Sequence, residues 1–125
     1  LKEEVNVTAG KLSDNTNINV EDGMVHLFTT AESTTSTPNI RYNGSTALNA
    51  KMSIGESIVV TLITTANASA YSANITIDGS AVTERWIGGS APDTGGSSGV
   101  DIHSFTIIKT ADATFTVIAN HSVTS

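Results

Sequence analysis

Apolar residues recur along this chain at alternate positions, and Val, Ile and Thr fill many of the strand-like runs. A repeat of two suits a pleated surface buried on one side, and β-branched side chains suit it better than a helix. No segment carries a convincing helical repeat. The predicted strands are Val5–Thr8, Met24–Thr30, Asn39–Tyr42, Ser57–Thr64, Ala70–Ile77, Ala81–Ile87, Asp101–Thr110 and Thr114–Asn120. In "YSANITI" the alternation puts Tyr71, Ala73, Ile75 and Ile77 on one face, and in "HSFTI" it does the same for His103, Phe105 and Ile107.

Between these runs stand Asp22-Gly23, Asn43-Gly44 and Asp78-Gly79, dipeptides that accept the positive φ angles of tight hairpin turns. Asp78-Gly79 joins two runs directly and predicts a two-residue hairpin. The connector "AESTTSTPN", Ala31 to Asn39, is long enough to pass from one sheet to another, and Pro38 biases Thr37 toward extended backbone. "ITTANASA" from Ile63 and "IKTADATF" from Ile108 echo one another as strand, tight turn and strand. Two similar hairpins explain the echo more simply than a duplicated half-domain. The expectation is an all-β fold: a two-sheet antiparallel β-sandwich of about eight strands, jelly-roll-like, over residues 21–125. Residues 1–20 are charged at their start and poor in large apolar groups, so they read as an N-terminal arm or linker.

Composition narrows the functional classes. The chain has 125 residues, one domain by length, with 14% charged residues, a net charge of -6 and no cysteine. Its six basic residues are scattered, so no positive stripe attracts a phosphate backbone, and nucleic acid is not an expected partner. The longest apolar run, Ile58 to Ile63, is far shorter than a membrane-crossing helix, and no membrane association is expected. Without cysteine, disulfides and thiolate metal sites are excluded. A start at Leu1 rather than Met suggests an excerpt or a processed product.

The segment "GGSAPDTGGSSGVDIHSF", Gly88 to Phe105, contains two catalytic patterns. Asp93-Thr94-Gly95 matches an aspartic-protease half-site, which needs an apolar strand before it and a second carboxylate about 3 Å away. Here Ser90-Ala91-Pro92 precedes it. Gly95 to Gly99 spells G-x-S-x-G, but that elbow requires a helix after the serine, and a strand follows Ser97. A phosphate cradle fails for the same reason. His26, His103 and His121 match no metal-ligand spacing, so no metal and no cofactor are expected. The sequons at Asn6, Asn43, Asn67, Asn74 and Asn120 are common in so Asn/Ser/Thr-rich a chain. Trp86, Gly88, Gly89, Asp93, Gly95 and Ser97 therefore form a candidate contact loop and not an active site. Trp86 reads either as a lid on the core or as an exposed anchor for a partner or sugar.

The segments "NIRYNGST", "ITTANASAYSANITIDG", "RWIGGSAP" and "SFTIIKTADATFTVIAN", with the preceding "GMVHLFTTAESTTSTP", cover most of residues 23–122. In these the chain resembles a domain of virion structural proteins from marine bacteriophages that infect cyanobacteria. The resemblance implies a non-enzymatic particle component located in the virion: a tail fibre, baseplate, neck, or capsid appendage or decoration module. Its implied partners are other virion proteins and copies of itself in a homo-oligomer. The alternative is a host-surface or glycan-binding module using the 88–99 loop and Trp86. The resemblance carries no catalytic residues, and it agrees with a cysteine-free, uncharged-polar surface.

Overall fold

Burial follows the alternation most plainly on the last two long strands. In the segment Val100–Ala111, Asp101, His103, Phe105, Ile107 and Lys109 are buried, and the residues between them face outward. The computed structural model describes residues 3–125. Its strands are β1 (Asn6–Thr8), β2 (Asn17–Asn19), β3 (Val25–Ala31), β4 (Asn39–Arg41), β5 (Ser57–Thr65), β6 (Thr76–Ile77), β7 (Ser80–Ala81), β8 (Glu84–Trp86), β9 (Val100–Ala111) and β10 (Thr114–Val123). Sheet A has the order β1-β3-β5-β9-β10-β8 and sheet B the order β2-β4-β6-β7.

From β1 to β6 the chain visits the two sheets in turn. Each strand lies parallel to the one laid down two strands earlier: β1 with β3, β3 with β5, β2 with β4 and β4 with β6. The segment therefore winds as three irregular coils of a β-helix. From β7 onward the pattern changes. β7 closes a hairpin on β6, β9 runs antiparallel to β5 and β10, and β8 returns parallel to β10 at the far edge.

The antiparallel sandwich and its jelly-roll topology are thus corrected to a pair of mixed sheets in which parallel ladders outnumber antiparallel ones. The physical reason is that a repeat of two records which face a residue occupies and nothing about strand direction. Parallel neighbours need a long crossover, usually a helix, but from β1 to β6 the crossover is a strand in the other sheet. One helix also forms, the single turn α1 (Leu48–Lys51), together with 3₁₀ turns at Leu12–Asp14 and Val20–Asp22.

Stacked coils bring like residues into register. Ile18, Ile40 and Ile77 pair successively across sheet B, and all three are buried in the common core with Phe28, Val60, Leu62, Phe105 and Ile107 of sheet A. Beside them runs a polar column. The Asn39 side-chain amide donates to Asn17 Oδ1 at 3.1 Å, while Asn39 Oδ1 accepts from Thr76 Oγ1 and Gly79 N, both at 2.8 Å. Such a column joins the coils through side chains as well as backbone.

The expected arm at 1–20 is, over its described residues, part of both sheets. β1 and β2 lie within it, and Leu12, Ile18 and Val20 belong to the core. Glu32 fastens this segment: its carboxylate accepts from Leu12 N at 2.7 Å and Ser13 N at 3.4 Å, capping the first 3₁₀ turn. Burial pushes the Glu32 carboxyl above its ordinary range, and the two N–H donors pull the other way. Glu32→Ala strands the buried Leu12 N–H, with an expected loss of about 1–2 kcal/mol in urea unfolding; Glu32→Gln, which keeps an acceptor, should lose less.

The Asp78-Gly79 hairpin forms as the sequence predicts, with Asp78 at φ 51° and Gly79 at φ 80°. Asp78 also reaches out of the turn, accepting from Leu48 N at 2.7 Å and Asn49 N at 3.0 Å at the start of α1. At the other end of α1, buried Lys109 donates from Nζ to Asn49 O at 2.7 Å and Met52 O at 2.9 Å. A one-turn helix is far too short to persist on its own propensity, so these two charges hold it. Asn43-Gly44 makes no hairpin; Asn43 Oδ1 instead accepts from Ser45 N and Thr46 N in an Asx turn.

The echo at 63–70 and 108–115 is half correct. The second copy is the β9–β10 hairpin, in which Ala113 takes φ 48°. The first is the end of β5 running into a loop. Of the predicted strand Ala70–Ile77 only Thr76–Ile77 pairs, and the predicted 81–87 run is divided between β7 and β8.

Candidate functional site

β8 is the edge strand of sheet A, and its pairing with β10 sets Trp86 opposite Ala119 on the inner face. There the indole meets Phe105 edge to face, with ring centroids 6.1 Å apart and planes at 75°. Trp86 is partly buried against the core, an arrangement that anchors the start of the loop. The chain then turns sharply: Gly89 N donates to Trp86 O at 3.0 Å, and Gly88 at φ 90° supplies the positive φ a type II turn needs at its third position. Gly89 also has φ 89°. Both glycines are exposed, as is Asp93.

Beyond Asp93 the loop is tied down. Thr94 Oγ1 and Gly95 N both donate to Ala68 O, each at 3.0 Å. Gly95 lies so close to the 67–70 turn that a Cβ there would collide with the carbonyl oxygens of Asn67 and Ala70. Gly96 is buried and donates its N–H to both oxygens of Asp101, at 3.1 and 3.0 Å. Ser97 N donates to Ser125 O at 3.0 Å, and Gly99 O accepts from Ala66 N at 2.9 Å. The six candidate residues thus divide. Trp86 faces the core, Gly88, Gly89 and Asp93 form an exposed tip, and Gly95 and Ser97 join the loop to neighbouring backbone.

Beneath this loop the β9–β10 register assembles a group of titratable residues. His103 and His121 are directly paired across the strands and stack at 4.5 Å between ring centroids. His121 Nε2 lies 3.2 Å from Asp101 Oδ2. Asp101 and His103 are each 1% exposed. Among the described residues neither ring nitrogen of His103 makes a full hydrogen bond. Burial lowers the His103 pKa to about 4 and the nearby His121 adds to the shift, while the Asp101 carboxylate and the Leu62 backbone oppose it. His103 is therefore a buried residue that is neutral near pH 7. His26, also buried, is satisfied: its Nε2 is 2.8 Å from Gly23 O and its Nδ1 3.1 Å from the Asn6 amide. Because a carbonyl only accepts, Nε2 carries the proton in that arrangement.

Sequence reasoning placed His103 on one face with Phe105 and Ile107 but missed His121 as its cross-strand partner. Counting outward from the Asp112–Ala113 turn would have set His121 opposite Ser104; the irregularity beside the turn, after Thr114, shifts the register by one and brings it opposite His103. The chemistry available is limited. Asp101 orients His121, but the exposed Ser97 contacts neither, and no nucleophile joins the pair among the hydrogen bonds of the described residues. Among the described residues no group of three His, Asp or Glu side chains is placed to hold a metal ion. No helix there is long and apolar enough to cross a membrane. No family model matches the chain, and comparisons with curated proteins and with solved structures give no match.

Proposed function

We propose that this chain is a non-enzymatic structural module of a bacteriophage virion, in a tail fibre, baseplate, neck or capsid appendage, acting through subunit assembly. One observation carries the reading: the loop with two catalytic patterns is used as a structural tie. Gly95 is required by the close approach of the 67–70 turn, Gly96 is bound by the Asp101 carboxylate, and Ser97 contributes its backbone N–H to the chain end. Each residue that resembles a catalytic element there has a mechanical role or, like Asp93, stands exposed. The coils are joined by backbone ladders and side-chain columns, which favour a static part over a moving one. Sequence resemblance to marine phage particle proteins supplies the setting.

The test is particle composition. Mass spectrometry of density-purified virions carrying this gene should find the protein at a fixed copy number, and Asp93→Asn and Ser97→Ala should leave incorporation unchanged. Absence from purified particles would overturn the reading.

A further inference from the structure

The outward face of sheet A is broad, open and almost free of charge. Register places Val7, Leu27, Ile63 and Ile102 in one row running across four strands. A second row carries Val59, Thr106 and Ile118 and ends on Arg85 at the β8 edge. Val7 is 60% exposed, Val59 49% and Ile118 38%. The remaining outward positions of the register are mostly Ser, Thr and Asn, with no charged residue among them. The chain has twelve Asp and Glu residues and a net charge of -6, but none of those acids occupies an outward position in the paired registers of this sheet.

We infer that two copies of this chain pair face to face through the outer surface of sheet A, an inference that rests on the assembly reading above and gives it a surface. Charge distribution identifies the occupant. Two acidic copies repel wherever their carboxylates approach, and this face lets them meet without any such approach. A basic partner would find nothing to pair with on the face, whereas a like surface of β-branched side chains can interdigitate as packed sheets do. The size also fits. The six strands hold 44 residues between them, which at about 3.4 Å rise and about 4.8 Å spacing offer on the order of 700 Å² per copy, close to the roughly 800 Å² per partner of a standard stable interface. Arg85 lies at the rim, where a solvated cation is tolerated.

Light scattering and sedimentation of the full chain over a concentration series should give a dimer or a multiple of it. Ile102→Lys and Ser104→Lys, both outward on β9, should convert it to monomer while circular dichroism and melting stay close to the parent. Substitutions in the exposed 88–93 tip should not. In the unaltered chain, Ile63, Ile102 and Ile118 methyl signals should shift with concentration while that of Ile54, exposed and outside the sheet, stays fixed. A dimer that survives both lysine variants, or methyl signals that ignore concentration, would overturn this interface and leave the module reading standing. A monomer at every concentration that still enters particles would assign the face to a different virion protein and also overturn self-pairing. Absence from particles would instead remove the reading beneath it.

Discussion

Between pH 7 and pH 4 the protein should lose about 3 kcal/mol of stability through His103, and His103→Leu should remove that loss. The unfolded residue takes up a proton near 6.5, whereas the folded one resists until about 4. A histidine whose folded pKa is depressed contributes its full neutral-form stability above 6.5, and that contribution is lost as pH falls from 6.5 toward 4. The cause lies in the β9–β10 pairing, which buries the ring at 1% exposure, stacks it on His121 and leaves both nitrogens without a full hydrogen bond among the described residues. Leucine has a similar bulk and no nitrogens to strand, so the variant should also be about 1 kcal/mol more stable at pH 7. Urea midpoints of both proteins at several pH values provide the check. Every other residue is common to both proteins, so the difference isolates His103. Parallel loss of stability in the two proteins would show that His103 is not the acid-sensitive group.

Asp78→Ala is the second large effect, with an expected cost of about 3 kcal/mol. Asp78 occupies the positive-φ region at 51° and also caps α1 through Leu48 N and Asn49 N. Alanine loses both: the left-handed conformation costs about 1 kcal/mol and the missing caps about 2 kcal/mol. A substitution series separates them. Asn tolerates the conformation and keeps one acceptor oxygen, so it should retain more than half of the stability. Gly keeps only the conformation and should fall between Asn and Ala. Equal unfolding midpoints for Gly and Ala would mean that the turn conformation contributes nothing.

Legibility of the fold in the sequence varied with strand length. β5, β9 and β10 were readable because nine to twelve alternating residues leave one phase of burial. β2 was not, since its three residues offer one apolar side chain, Ile18, between two asparagines. The "YSANITI" run misled for a different reason. Its alternation is that of a loop in which Ser72 is buried and Tyr71 is not, so the phase slips before Ile75. Strand direction was legible only where a tight turn joins two strands, as at Asp78-Gly79 and in the β9–β10 hairpin; elsewhere parallel and antiparallel neighbours share one period. At the candidate site, the position of the 88–99 loop and of Trp86 was legible. The Asp101 contact to Gly96 was not, since it depends on how far the loop folds back.

The alternating course of β1 to β6 has a consequence for how the chain is made. Its parallel contacts join residues 20, 22 and 37 positions apart, as in Asn6 with His26, Asn17 with Asn39 and Asn39 with Thr76. The one long local pairing is β9 with β10, and both are synthesised after β1 to β8. Loop closure favours the near contact first. β5 is the centre of sheet A and carries the run Ile58 to Ile63, but it must wait for β9 before that edge is covered. Until residues 100–108 emerge from the ribosome, this is an unpaired apolar edge of the kind that seeks other chains. Synthesis is thus the stage at which β5 is most open to pairing with another chain.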